Sequence, residues 1–133
     1  MISVSDPNMY YDCEPFASRE NGVQEILPLC FADADEAGPD VYGIEAEESD
    51  LMSFEDAEKI AQLLRKHPDT DIIVHCDAGI SRSAGIAAAL LKYFTGSDDQ
   101  IFRDTYYCPN TWCYRKTLAA LNQSGLKKRS GLV

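Results

Sequence analysis

No apolar run in this 133-residue chain approaches the roughly 20 residues that cross a bilayer, so no helical membrane span is expected. The N-terminus, Met1-Ile2-Ser3-Val4-Ser5-Asp6, lacks the basic start and apolar stretch of a secretion signal. A cytoplasmic location is therefore the expectation. The five cysteines (Cys13, Cys30, Cys76, Cys108, Cys113) are odd in number, and their spacings match no disulfide framework or zinc pattern. Most are expected to be plain buried thiols. Basic residues are scarce: 12 Lys and Arg stand against 22 Asp and Glu, for a net charge of −10. Nucleic acid and anionic membranes are accordingly poor partners. Residues 33–50 carry eight acids and no base. There are no internal repeats and no linker.

What is present fits one domain with a single core, 45% of its residues being apolar. The domain is expected over residues 1–123, with a frayed tail over 124–133, as a monomer. Ile2-Ser3-Val4 alternates like a strand. Glu25–Phe31 reads as a second strand, near an edge because Pro28 interrupts it. Ser53-Phe54-Glu55-Asp56 is a capping-box variant opening a helix that Pro68 ends. Thr70–Val74 is a β-branched run that reads as a buried strand. Ala84–Leu91 reads as a helix packed on most of its sides, stopping at Gly96. Ser97-Asp98-Asp99-Gln100 predicts a further helix through about Tyr106. Pro109-Asn110-Thr111 predicts a last one, with Tyr114, Leu118 and Leu121 on one face. Strands alternating with helices imply an α/β fold with a mostly parallel central sheet flanked by helices.

The stretch that stands out is Val74-His75-Cys76-Asp77-Ala78-Gly79-Ile80-Ser81-Arg82-Ser83. It joins a predicted strand to a predicted helix. Backbone N–H groups at a helix N-terminus lack intrahelical partners and can turn toward an anion. Gly79 lets the loop fold back. Arg82 adds a planar fork of donors suited to a phosphate face. Cys76 would sit within that positive cradle, an environment that favours the thiolate. A thiolate so placed is equipped to attack phosphorus.

This loop resembles the His-Cys-(five residues)-Arg-Ser/Thr signature of the cysteine-based protein tyrosine phosphatases. Within that superfamily, Ala78-Gly79-Ile80-Ser81-Arg82-Ser83 is most similar to the small dual-specificity branch, and Ile2-Ser3-Val4-Ser5-Asp6-Pro7 resembles the start of its compact bacterial and phage members. Leu27–Asp33 resembles the strand that runs into the family's general-acid loop. Tyr107-Cys108-Pro109-Asn110 resembles the Pro-Asn that opens a late family helix. The resemblance implies a metal-independent, cofactor-free phosphatase of phosphotyrosine peptides, with phosphoserine and phosphothreonine as further substrates of that branch. It makes Cys76 the nucleophile. Arg82 and the backbone amides of Asp77, Ala78, Gly79, Ile80 and Ser81 become the phosphate ligands. Ser83 becomes the donor that helps the thiolate leave, His75 orders the loop, and Asn110 supports it.

A leaving phenolate or alkoxide also needs a proton donor. Neither histidine suits, because His75 serves the loop and His67 precedes Pro68 at a helix end. A carboxylic acid on the acidic loop is the expectation, with Asp33, Asp35, Glu36 and Asp40 as candidates. Asp33 comes directly off the strand, where the family pattern puts its acid; Asp35 and Asp40 are alternatives. The stretch from Asp33 to Cys76 is longer than usual in the family, and residues 36–50 take the excess as a surface insertion. Tyr10, Tyr11, Tyr42, Tyr106, Tyr107 and Trp112 are candidates for the wall of a phosphotyrosine slot. A second thiol near Cys76 would trap its oxidised form as a disulfide. Two other readings remain open: a catalytically weak phosphate-binding module, and a phosphatase of phosphoinositide or RNA 5′-phosphate. Acidic Asp77 disfavours a polyanionic headgroup.

Overall fold

Ile2–Ser5 (β1) is the middle strand of a three-stranded parallel sheet. It pairs with Leu27–Cys30 (β2) on one side, from Ile2 opposite Leu27 to Ser5 opposite Cys30. On the other side it pairs with Val74–His75 (β5), Ile2 opposite Val74 and Ser3 opposite His75. A parallel strand flanked on both sides is covered on both faces, and Ile2, Ser3 and Val4 are all buried. The computed structural model describes residues 1–5, 25–34, 38–39, 45–76 and 80–127. Among them the architecture is broadly α/β, as expected, with three parallel strands and four helices.

Pro28 lies in β2 at the sheet's outer edge, where its missing N–H costs no ladder bond. β5 occupies the opposite edge of the described sheet, which corrects the expectation of a central strand before the Cys76 loop. The strand is also shorter than the run Thr70–Val74. Its edge position explains this: Ile73 is 56% exposed, so the β-branched run is half-covered rather than buried. Inside the acidic stretch, expected to be loop, Gly38–Pro39 (β3) and Glu45–Ala46 (β4) form a short antiparallel ladder. A single 3₁₀ turn follows at Glu48–Asp50.

Phe54–Lys66 (α1) begins with the expected box: Asp56 N–H donates to Ser53 Oγ, and Ser53 N–H donates to the Asp56 carboxylate. Its Ala57, Ile60, Ala61, Leu63 and Leu64 enter the core with Ile2, Val4, Leu29 and Phe31. Arg82–Thr95 (α2) is buried over most of its surface and ends at Gly96, whose φ of 87° is the left-handed conformation glycine adopts without Cβ strain. Asp99–Phe102 (α3) is one turn long and falls short of Tyr106. Two side chains explain the difference. Asp98 is engaged by the Tyr114 hydroxyl at 2.6 Å instead of capping the helix, and Asp104 accepts from the Tyr106 N–H in a local turn at 2.9 Å.

Thr111–Ser124 (α4) packs on α2 and α1. Its buried residues are Cys113, Thr117, Ala120 and Leu121, with Tyr114 and Leu118 flanking them. Of the expected Tyr114–Leu118–Leu121 stripe, Leu121 is fully buried and Tyr114 packs, partly buried, against Ala84, Ala88 and Ile101, while Cys113, Thr117 and Ala120 complete the inward face. The chain stays docked beyond residue 123. The Tyr93 hydroxyl donates to the Leu126 carbonyl at 2.6 Å, and Arg65 donates to the Ser124 carbonyl at 2.8 Å.

Cys76 and Cys113 are buried thiols, but Cys108 is an exposed one and Cys30 is disulfide-bonded. The last two depart from the expectation of plain buried thiols. Among the described residues no helix is long and apolar enough to cross a membrane.

Candidate functional site

β5 delivers Cys76 from the edge of the sheet, and the chain re-enters regular structure at Arg82, the first residue of α2. Asp77, Ala78 and Gly79 lie outside the described residues, as do Asp35, Glu36 and Asp40. Cys76 is 4% exposed, and its Sγ lies 3.2 Å from Ser83 Oγ in a buried hydrogen bond. A thiol thus meets a hydroxyl seven positions later, in the first turn of the following helix.

Arg82 is 4% exposed and donates from Nη1 to the Phe31 carbonyl at 2.9 Å. Burial of a guanidinium is costly, and the N-terminal pole of a helix disfavours a cation further. A positive side chain kept buried at the first residue of α2 adds its charge to the positive pole of that helix. That arrangement suits an anionic ligand and a thiolate.

The far end of the loop is tied to the segment before α4. The Ile80 carbonyl accepts from the Cys108 N–H at 3.0 Å, and the Ser81 carbonyl accepts from Asn110 N–H and Gly85 N–H, both at 2.9 Å. The fit leaves no spare room. A Cβ built on Gly85 would stand 2.3 Å from the Asn110 carbonyl oxygen, so α2 and the start of α4 approach each other only because residue 85 has no side chain.

Asn110 serves two ends at once. Its Oδ1 caps α4 by accepting from Cys113 N–H at 2.9 Å. Its Nδ2 donates to Asp33 Oδ1 at 2.8 Å and to the Ala34 carbonyl at 3.1 Å. Asp33 Oδ1 also accepts from Ser81 Oγ at 2.7 Å. The structure therefore brings Cys76 together with Ser83, and Asp33 with Ser81 and Asn110. His75 is half-buried on β5, in register with Ser3 of β1.

Three contacts here were not anticipated from the sequence: Phe31 carbonyl to Arg82, Ser81 hydroxyl to Asp33, and Gly85 against Asn110. Each joins residues far apart in the chain or needs a specific helix crossing, and no local pattern announces either. Of the aromatic candidates among the described residues, Tyr106 is exposed and stacks edge-on with Tyr107 at 5.2 Å. Trp112 is committed to the Met52 carbonyl at 2.9 Å. Among the described residues no cluster of three or more His, Cys, Asp or Glu side chains could hold a metal ion. No family model, curated protein or solved structure matches the chain.

Proposed function

We propose that this chain is a cysteine-dependent phosphomonoesterase of the protein tyrosine and dual-specificity type, acting on phosphotyrosine in proteins or peptides. The observation that carries the reading is the Cys76–Ser83 contact of 3.2 Å, made by a buried thiol whose hydroxyl partner follows the buried Arg82 in the chain. A thiol buried for packing alone has no need of a helix-start hydroxyl as its partner, nor of a buried arginine one residue before that hydroxyl.

The chemistry runs in two displacements. Cys76 thiolate attacks phosphorus, the phosphorus–oxygen bond to the leaving group breaks, and that oxygen takes a proton from Asp33. Arg82 and the amides between Asp77 and Arg82 hold the equatorial oxygens as charge develops on them. Water then attacks the cysteinyl phosphate, Asp33 recovers a proton from it, and the sulfur leaves as thiolate while accepting from the Ser83 hydroxyl. No metal or cofactor enters the scheme. The enzyme acts in the cytoplasm as a monomer under this reading.

Hydrolysis of p-nitrophenyl phosphate by the wild-type chain and by Cys76→Ser tests it. Turnover by the first and none by the second is expected. Phosphotyrosine-peptide binding with no turnover in the wild type would favour a phosphate-binding module instead.

A further inference from the structure

Asn110 is 1% exposed and holds several bonds at once: the cap on Cys113, the Ala34 carbonyl, the Ser81 carbonyl through its own N–H, and Asp33. Its side chain cannot turn without breaking the cap and the links to residues 33–34, so it acts as a fixed post between α4 and the segment after β2. Asp33, by contrast, is exposed and leans on that post. Its Oδ1 accepts from Asn110 Nδ2 at 2.8 Å and from Ser81 Oγ at 2.7 Å. Two donors from different directions on one oxygen fix the plane of a carboxyl group. Among the described residues both bonds run to Oδ1.

The geometry points to Ser81 and Asn110 as positioning residues that orient the Asp33 carboxyl group, so that Oδ2 carries the proton delivered to the leaving oxygen. This rests on the phosphatase reading above. Ser81 then has two tasks: its amide belongs to the anion cradle, and its hydroxyl aims the acid. When the phosphorus–oxygen bond breaks, the electron pair stays on the leaving oxygen and takes the Oδ2 proton. The charge left on Asp33 is met at Oδ1 by the Ser81 hydroxyl and the Asn110 amide. The incoming water returns a proton to Oδ2 in the second displacement. Placement matters because proton transfer needs hydrogen-bond reach in the transition state.

The test compares kcat on phenyl phosphate, a poor leaving group, with kcat on p-nitrophenyl phosphate, a good one. Ser81→Ala removes one donor from Asp33, and Asn110→Ser removes the other while keeping a capping oxygen. In each variant the phenyl to p-nitrophenyl ratio is expected to fall about tenfold, the scale of one charge-assisted hydrogen bond. Adding Asp33→Ala should lower the ratio no further than Asp33→Ala alone. An unchanged ratio in Ser81→Ala, or losses that multiply in the double variant, would overturn the inference. If Asn110→Ser does not fold, Ser81→Ala decides. Melting temperatures of Asp33→Ala, Ser81→Ala and the double variant read the contact without turnover, and non-additive shifts are expected. A wild-type chain that hydrolyses neither substrate overturns the phosphatase reading and this inference with it. Wild-type turnover with an unmoved ratio overturns this inference alone.

Discussion

The Cys76 sulfur and the Ser83 hydroxyl meet at 3.2 Å across the two ends of one short loop. The contact lets Ser83 donate to the sulfur when it is charged, which in the proposed scheme is before the first displacement and as the sulfur leaves in the second; only in the second does charge build up on the sulfur along the step. Ser83→Ala should therefore slow breakdown of the cysteinyl phosphate more than its formation. We expect kcat to fall about 10-fold to 100-fold, the range of a hydrogen bond to a charged group. Rapid-quench kinetics should show a burst of nitrophenol that persists while the steady rate drops. Loss of the burst would mean that the hydroxyl serves the first step.

Arg82 is held by the Phe31 carbonyl at 2.9 Å and stands at the first position of α2. Lysine there keeps the charge but loses the planar fork. Arg82→Lys should lower kcat/KM on p-nitrophenyl phosphate by about 10²-fold or more, on the scale of losing one preorganised donor to the transition state. Near-normal kcat/KM would give the guanidinium a structural role only.

Much of this was legible in the chain itself. Ser53 and Asp56, Gly96 and Asn110 mark helix ends through contacts within a few residues, and all stand where local pattern put them. The Cys76–Arg82 spacing was equally plain. What escaped was non-local. Nothing near Val74 tells that its strand has one neighbour rather than two among the described residues. On α4 the fully buried positions include Cys113 and Thr117 as well as the expected Leu121, while Tyr114 packs, partly buried, against Ala84, Ala88 and Ile101. Asp33 and Ser81 are 48 residues apart, and they meet where Asn110, the cap of α4, also reaches Asp33.

Gly85 gives the sharpest packing prediction. Alanine there would drive a Cβ to 2.3 Å from a backbone oxygen that no rotamer change can move. Gly85→Ala should lower stability by roughly 1–3 kcal/mol, the cost of overpacking, despite the helix propensity gained. Urea unfolding measures it. A stabilised variant would contradict the close approach of α2 and α4.

Tyr114 adds a pH dependence remote from the site. Burial, and then the Asp98 carboxylate at 2.6 Å, push its hydroxyl up to about 12. An unfolded tyrosine ionises near 10, so the neutral form is favoured by the fold. The stabilisation is complete below about pH 10 and is lost as pH rises toward about 12. The stability difference between wild type and Tyr114→Phe, from urea unfolding at a series of pH values, should shrink over that interval. A difference that stays constant would contradict the Asp98 contact.

The central claim is a covalent bond between Cys76 sulfur and phosphorus. Acid quench during turnover of p-nitrophenyl phosphate in excess EDTA, followed by peptide mass spectrometry, reads it directly. The account predicts a phosphoryl group on the peptide containing Cys76, absent from Cys76→Ser and accumulating further in Ser83→Ala. Turnover that persists in Cys76→Ser, or that needs an added divalent metal, would contradict it.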